Sequence, residues 1–263
     1  MTAAGVGAVA ERQLLSSVRN AARILKQFNS RDRELGISQL ARRLDLGKST
    51  VHRLVSTLVA EHLLEQNPDT GQYRLGLAIF DLSASVSRFY DLHEAVNVPM
   101  ERLRATVRET VQVGVLDQRE VVYVERLDSP NTLRLFSEVG RRNWAHSTGT
   151  GKALLAFIPT DDLEAILDGW DLPRLTEHTI TDPEALRADL EAVRSRGYST
   201  NVHESEVGVI SVGAPIRGAG GKVVAALSVA GPELRMEAIM DQISIGVMEA
   251  AAMASRRLGH GRR

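Results

Sequence analysis

The sequence predicts an α+β protein with a helical front part and a mostly antiparallel sheet behind it. Up to about residue 107 the apolar residues recur with the period of an α-helix, and from residue 110 they alternate with the period of a strand. Two apolar runs at residues 209–216 and 223–229 flank a glycine-rich turn, which is typical of a hairpin. Helices followed by strand pairs indicate separate helical and sheet regions.

Charge and composition indicate two domains of different kinds. The chain has 263 residues and a net charge of −1, but residues 12–58 carry a local charge of +7. A basic segment attached to an acidic remainder is typical of a nucleic-acid-binding module joined to a second domain, although a solvated charged face has the same charge pattern. The absence of cysteine excludes disulfides, thiol nucleophiles and thiolate metal sites.

The hydropathy of the chain predicts its compartment. Residues 1–15 are small and apolar without a basic segment, so we interpret them as a flexible lead and not as a signal peptide. No apolar run approaches the length that spans a bilayer. We therefore expect no membrane partner and a cytoplasmic location.

Three helices are predicted at the front of the chain. Residues 18–28 form the first, with Ser17 as its N-cap. Residues 38–44 form the second, which ends in a turn at Asp45 and Gly47 because both residue types tolerate a positive φ. The third helix follows at once, and its apolar side chains at positions 51, 54, 55, 58 and 59 share one face.

The third helix and the hairpin after it carry the candidate DNA-binding residues. The second helix of a helix-turn-helix pair enters the major groove, and a β-wing contacts the backbone beside it. Such a wing is predicted at residues 64–66 and 72–75, around a turn rich in proline, aspartate and glycine. Short polar and basic side chains suit contacts with base edges and phosphates. The candidates are Lys48, Ser49, Thr50, His52 and Arg53 on the helix and Gln72 and Arg74 on the wing.

These patterns divide the chain into a winged helix-turn-helix domain at residues 16–76, a connector helix at residues 77–95 and a second domain at residues 96–263. A new helix is predicted from Asn97, with Pro99 in its first turn. The remaining predicted elements are a hairpin at residues 111–127, a third strand at 133–136, and helices at 151–157, 161–167, 183–196 (capped by Asp182 and Gly197) and 236–258.

Three segments resemble the IclR-type bacterial transcription regulators. They are ISQLARRLDLGKSTVHRLVSTL with the wing LLEQNPDTGQYRLG, then HSTGTGKALLA, and GYSTNVHESEVGVISVGAPIRGAGGKVVAALSVAGP, and the resemblance covers most of the chain. It implies an N-terminal winged helix-turn-helix and a C-terminal GAF-like or profilin-like effector domain with a mostly antiparallel sheet. It also implies homodimers or tetramers on a palindromic operator of double-stranded DNA.

The resemblance further implies a site for a small organic or aromatic acid. The positions that correspond to the family's effector contacts are Gly149, Thr150, Asn201 and Ser211, of which the last two differ from the acidic residue and the cysteine of other members. Residues 147–152 also lead into a helix N-terminus, where unpaired N–H groups favour an anion. An ordinary glycine-rich turn with a threonine cap fits the same residues.

Other kinds of site find little support in the sequence. Residues 146–153 lack the first glycine and the Ser or Thr of a P-loop, and residues 208–213 are one residue too long for a nucleophile elbow. The seven histidines show no paired metal-ligand spacing. We therefore expect no catalytic residue, no metal and no cofactor.

The resulting interpretation is a ligand-responsive transcription regulator, a repressor or an activator, whose effector is a small carboxylic acid. Two alternatives remain open. One is a hydrolase of small acids with a DNA-binding front domain, and the other is a DNA-binding protein whose second domain only forms oligomers.

Overall fold

The computed structural model describes residues 15–29, 32–84, 87–135 and 138–261, with the side chains of residues 84–90 also outside the description. The chain divides into two compact units, Met1–Ser87 and Arg88–Arg263. The flexible lead predicted at residues 1–15 lies almost wholly outside the described residues. None of the described helices is long and apolar enough to cross a membrane.

Three helices form the core of the first unit, as predicted: α1 (Ser16–Leu25), α2 (Ile37–Leu44) and α3 (Lys48–Ala60). Each turns an apolar stripe inward, and these stripes meet because residues three and four apart share one helix face. The predicted N-cap at Ser17 is wrong, since α1 begins one residue earlier and no side chain caps it. The fully buried core residues are Ile24, Leu40, Val51 and Val55.

The turn between α2 and α3 depends on Asp45. Its backbone is left-handed, with φ 54° and ψ 50°, and its N–H donates to the carbonyl of Ala41. Aspartate adopts this conformation at lower cost than most residues because its short polar side chain can bond locally. Gly47 keeps a φ of −62°, so the positive φ expected in this turn is at Asp45 alone.

The predicted wing is confirmed. Strands β1 (Leu64–Gln66) and β2 (Tyr73–Leu75) pair antiparallel, with Glu65 opposite Arg74. Backbone hydrogen bonds of 2.9 and 3.0 Å between Leu35 and Tyr73 add a third extended segment to this small sheet. The wing is therefore tied to the residues that precede α2.

The helical boundary predicted near residues 95–97 is wrong. After α4 (Ala78–Ala84), a single helix α5 (Ser87–Val107) runs through Pro99. A proline inside a helix removes one backbone hydrogen bond and usually kinks or ends the helix. Here Val96 and Met100, on either side of it, are buried in one core, and their packing outweighs the lost bond. The predicted division between connector and second domain thus falls inside a helix.

A six-stranded antiparallel sheet forms the centre of the second unit. The predicted antiparallel arrangement is confirmed, but the strands at residues 142–144 and 199–202 were not predicted. The order of its strands is β5-β4-β3-β8-β7-β6. The strands are β3 (Thr110–Asp117), β4 (Glu120–Leu127), β5 (Arg142–Trp144), β6 (Ser199–Val202), β7 (Val209–Arg217) and β8 (Val223–Pro232).

Helices cover both faces of this sheet. Helices α5 and α10 (Met240–Arg257) share one core with the apolar side chains of β3, β7 and β8. On the other face, α6 (Gly149–Leu155), α7 (Thr160–Leu167) and α8 (Pro183–Arg196) pack in a second core. A short helix α9 (Glu233–Met236) precedes α10, so the helix predicted at residues 236–258 is divided.

Local predictions in this unit have mixed outcomes. The caps of α8 are confirmed, because the Asp182 side chain accepts the N–H of Ala185 at 2.8 Å and Gly197 has a φ of 85°. The strand predicted at residues 133–136 is wrong for its described part, and Phe136 itself lies outside the described residues. No strand forms there because a side chain takes up a backbone acceptor, with Arg126 donating to the Leu135 carbonyl. The edge of β4 that such a strand could join pairs with β5 instead.

We predict that Gly151→Ala destabilises the second unit. A Cβ at this position would lie 2.2 Å from the carbonyl oxygen of Ala145, so the backbone would have to move. Overpacking of this kind costs roughly 1–3 kcal/mol. Urea unfolding followed by circular dichroism measures the change, with Gly220→Ala as the control because its Cβ would meet no atom within 4 Å. Equal stability of the two variants would contradict the close packing of this turn.

Candidate nucleic-acid and effector sites

The polar face of α3 is open to solvent. The helix buries Val51, Val55 and Leu58 on its opposite side, and this packing fixes which residues point outward. A helix oriented by one apolar stripe presents its other face as a fixed set of polar groups. All five predicted helix residues are exposed: Lys48, Ser49, Thr50, His52 and Arg53.

The cationic groups of the first unit differ in their partners. Within the part of the chain that the structure describes, Lys48 and Arg53 form no ion pair, so their charges are available to phosphates. Arg43, by contrast, is bonded to both carboxylate oxygens of Asp32, at 2.8 and 2.9 Å. Part of the basic excess seen in the sequence is thus neutralised within the fold.

The predicted wing residues are held by contacts of their own. The Nε of Arg74 lies 2.5 Å from Glu65, and its Nη1 lies 3.7 Å from Glu34. Both partners are partly exposed, and such pairs contribute little to stability. Gln72 is half-buried, and its carbonyl accepts the N–H of Asn67 at 2.8 Å. The wing therefore offers fewer free donors than α3.

In the second unit the structure brings three of the four predicted effector residues into direct contact. Asn201 on β6 and Ser211 on β7 are cross-strand partners, and the Asn201 amide donates to Ser211 Oγ at 3.2 Å. The N–H of Gly149, at the start of α6, donates to the same oxygen at 3.1 Å. Thr150 follows in the helix, with its Oγ1 2.7 Å from Ser228 Oγ. We name these five residues the inner network.

The inner network is closed. Asn201 is 1% exposed, Ser211 5% and Thr150 0%. The second amide hydrogen of Asn201 bonds Ser205 Oγ at 3.0 Å, and its oxygen accepts the N–H of Glu204 at 2.8 Å. Since buried polar groups are costly to leave unpaired, these bonds hold the residues in place. A ligand would therefore reach the network through residues that border it, of which Ser205 is only partly buried.

The start of α6 does not offer the free N–H groups predicted for an anion. The Gly149 N–H is bonded to Ser211, and the Gly151 N–H donates to Thr148 Oγ1 at 3.0 Å. Thr148 thus acts as a helix cap, and α6 has only seven residues. The prediction of unpaired donors at this turn is wrong for Gly149 and Gly151, because folding supplies their acceptors from β7 and from the cap.

Ser228, which belongs to the inner network, and Tyr123, which lies beside it, were not identified from the sequence. Tyr123 on β4 is buried, and the side chains of Thr150, Asn143 and Thr148 lie next to its hydroxyl, where they lower its pKa. Burial raises the pKa of Tyr123, so the phenol stays neutral and can donate. The sequence feature that could have identified such residues is a single polar side chain within an apolar strand, as at Ser228 in VVAALSVAG.

A buried ion cluster lies behind this network. The ammonium of Lys152 is 2.7 Å from Glu204 and 2.9 Å from Asp189, and the Lys152 side chain is only 2% exposed. Burial raises the pKa of Glu204, while the charge of Lys152 lowers it. Because both carboxylates face the ammonium, the lysine of this loop serves the fold and is not available to an anionic ligand.

A cavity of about 280 Å³ opens next to the inner network. It lies among β5, the turn after it and the loop between β6 and β7. Ser205 lines the cavity and also bonds Asn201, while Asn143 lines it next to the Tyr123 hydroxyl. Within the described residues, the cavity is therefore bordered by Ser205 and Asn143, which lie next to the closed inner network.

The environment of Ser211 does not support a nucleophile. Its oxygen accepts hydrogen bonds from the Asn201 amide and the Gly149 N–H, and neither group is a base. An activated serine needs a base within hydrogen-bond reach and a third group that orients the base. Ser211 also lies within the regular strand β7, where it pairs with Ala230. The hydrolase alternative thus gains nothing from this residue.

Comparisons with known proteins agree with this architecture. The family model described as "IclR helix-turn-helix domain" matches residues 17–68, and that described as "Bacterial transcriptional regulator IclR C-terminal" matches residues 84–256. The HTH-type transcriptional regulator KdgR of Escherichia coli (strain K12) is 36% identical over 221 residues, which are 84% of this chain and 84% of KdgR. XynR of the same organism is 32% identical over 248 residues, which are 94% of this chain and 98% of XynR.

A solved structure shows the same fold over nearly the whole length. An IclR homologue from Microbacterium hydrocarbonoxydans, complexed with 4-hydroxybenzoate, matches with a TM-score of 0.83 and 32% identity. The match covers 92% of this chain and 99% of that one. The resemblance and the fold class predicted from the sequence are confirmed.

We predict that Lys152→Met destabilises the second unit by about 3–5 kcal/mol, since it leaves two carboxylates without their buried cation. The loss should be largest near pH 8. The pKa of Glu204 already lies above its ordinary value, and removal of the lysine raises it further. A carboxyl with a raised folded pKa stabilises the fold at low pH, and this contribution is lost as pH rises.

Urea unfolding of wild type and variant at pH 5 and pH 8 measures this difference. Lys222→Met, at an exposed position of the β7–β8 turn, is the control. A deficit for Lys152→Met that does not shrink at pH 5 would show that the cluster does not hold an ionised Glu204.

Proposed function

Because the chain belongs to the IclR family of bacterial transcriptional regulators, we propose that it binds operator DNA through α3 and responds to a small carboxylic acid in the second unit. One observation supports the DNA-binding role above all. The second helix of a helix-turn-helix pair presents a fully exposed polar face whose cations have no ion-pair partner among the described residues. Side chains held in this way can enter a major groove.

The proposed contacts divide into two kinds. Ser49, Thr50, His52 and Arg53 read base edges, for which arginine is suited because its guanidinium bonds two acceptors of guanine. Lys48 binds phosphate at the start of the helix, and Gln72 and Arg74 contact the backbone from the wing. Phosphate contacts give affinity that falls with salt, whereas base contacts give sequence preference.

The effector role is proposed for the second unit. The relative with the same fold was crystallised with 4-hydroxybenzoate, and this chain has a cavity next to its inner network. A ligand in this cavity would touch the residues that border the network, and through them it would affect the four predicted effector residues, Gly149, Thr150, Asn201 and Ser211. By linkage, the ligand changes operator affinity only as far as it binds two conformations of the protein differently.

The rest of the proposal concerns organisation. Residues 16–76 bind DNA, residues 77–95 connect, and residues from 96 onward bind the effector. The chain acts as a homodimer or tetramer on a palindromic operator, because the two-fold symmetry of a dimer matches paired half-sites. It regulates transcription in the cytoplasm and catalyses no reaction, in keeping with a family of transcriptional regulators.

We predict that Arg53→Ala weakens binding to the operator by roughly 1–3 kcal/mol and relaxes sequence preference at one position of each half-site. The operator is first isolated from a random duplex pool with the wild-type protein. Fluorescence anisotropy then compares affinities at fixed salt, with Arg102→Ala, exposed on α5, as the matched control. Unchanged affinity and preference in Arg53→Ala would exclude the proposed reading role.

We predict a different result for Arg74→Ala. Since this guanidinium is already paired with Glu65 and Glu34, its loss should weaken binding less than the loss of Arg53, and equally for all sequences. The slope of log affinity against log salt should decrease by no more than about 1. A change in the preferred sequence would show that the wing reads bases.

A further inference from the structure

A groove in the first unit lies between helices α1 and α3. Its volume of about 450 Å³ falls within the usual range of small-molecule sites, roughly 300–1,000 Å³. Two of the proposed base-reading residues, Thr50 and Arg53, line it from α3, and the first two turns of α1 line it from the other side. The groove therefore adjoins the face of α3 that we propose for DNA.

The apolar residues of this groove remain partly open to solvent. Leu58 is 6% exposed and belongs to the core of the three helices, while Ala21 and Leu54 pack against that core and are half-buried. Val18 lies further out and is 63% exposed. Because burial of exposed apolar surface is favourable, the groove favours a ligand with an apolar body.

The polar groups of the groove include a cation and donors that have no acceptor. Among the described residues, the guanidinium of Arg53 has no hydrogen bond or ion pair, and no carboxylate lines the groove. The oxygen of Asn20 accepts from Arg23 at 3.3 Å, which leaves its amide nitrogen as a donor. Guanidinium and amide nitrogens only donate, so the charge and the hydrogen-bonding capacity of this lining are complementary to an anion.

We propose that the groove between α1 and α3 binds an amphipathic organic anion, such as a fused-ring carboxylate, whose acid group binds Arg53 and whose apolar body covers Val18 and Leu54. This site belongs to the first unit alone. The acid group takes up the same guanidinium that would bond guanine, so the anion and the operator exclude each other. This exclusion rests on the proposed function, whereas binding of the anion does not.

Direct competition and a response through the second unit differ in how operator affinity depends on ligand concentration. A competing ligand raises the apparent dissociation constant of the operator complex in proportion to its own concentration, without an upper limit. A ligand that acts through two conformations raises this constant only as far as its affinities for them differ. The shape of the dependence therefore identifies the unit through which the anion acts.

Methyl NMR on the full-length protein tests the site. The probes are 2-naphthoate, 2-naphthamide (the rings without the charge) and acetate (the charge without the rings). Naphthoate should shift the methyl signals of Val18, Leu54 and Leu58, with a dissociation constant at least tenfold below those of the other two compounds. Equal or tighter binding of the amide or of acetate at these signals would overturn the proposal, as would their failure to shift with millimolar naphthoate.

Two variants test the assigned contacts. Val18→Asp places a negative charge in the groove, and Ala22→Asp, at an exposed position of α1 that does not line the groove, is the matched control. Val18→Asp and Arg53→Gln should each weaken naphthoate binding at least tenfold without DNA present, whereas Ala22→Asp should bind as wild type does. Thermal unfolding verifies that all three variants fold. Wild-type naphthoate affinity in Val18→Asp or in Arg53→Gln would place the anion elsewhere.

Operator binding measured on the same samples separates this proposal from the proposed function. For wild type, the apparent dissociation constant of the selected operator should rise linearly with naphthoate concentration, and a plateau would exclude direct competition. If the protein selects an operator but naphthoate leaves the groove signals unchanged, only this inference is wrong. If naphthoate binds in the groove but no operator is selected, the proposed function is wrong and the site remains.

Discussion

The second unit depends on a direct contact between the backbone of α6 and strand β7. A Cβ at Gly213 would lie 2.5 Å from the carbonyl oxygen of Gly149, so two glycines allow the helix to reach the strand. Ser199 Oγ donates to the same carbonyl at 2.5 Å, and Ser211 Oγ accepts the Gly149 N–H. Because neither α6 nor β7 can move away without breaking buried hydrogen bonds, this contact sets the position of the inner network and of the cavity beside it.

Features that depend on neighbours in sequence were predictable. The three front helices, the wing and the caps of α8 follow from periodicity, turn residues and capping preferences within a few positions of one another. The exposed face of α3 belongs to this class, because burial of Val51 and Val55 determines where Thr50 and Arg53 point. Resemblance to the family supplied the effector positions, which no local pattern indicates.

Features that depend on distant pairing were not predictable. Strand β6 has few apolar residues and exists because it pairs with β7, and the buried charge of Lys152 is matched by Glu204, 52 residues away. The continuity of α5 through Pro99 likewise requires the core on which Val96 packs. The sequence named Asn201 and Ser211, but that they bond each other and are closed to solvent follows only from the sheet register.

The paired arginine of the wing has a consequence for how the protein finds its operator among the many other sequences of a chromosome. Each cation that must leave a carboxylate before it meets a phosphate adds less counterion release to the association, and counterion release supplies most of the sequence-independent attraction. If Arg74 contacts a phosphate as we propose, its pairing with Glu65 lowers the affinity for unrelated DNA and so shortens each non-specific encounter. The preference for the operator is unchanged, because it depends on the ratio of the two affinities and a phosphate contact affects both equally.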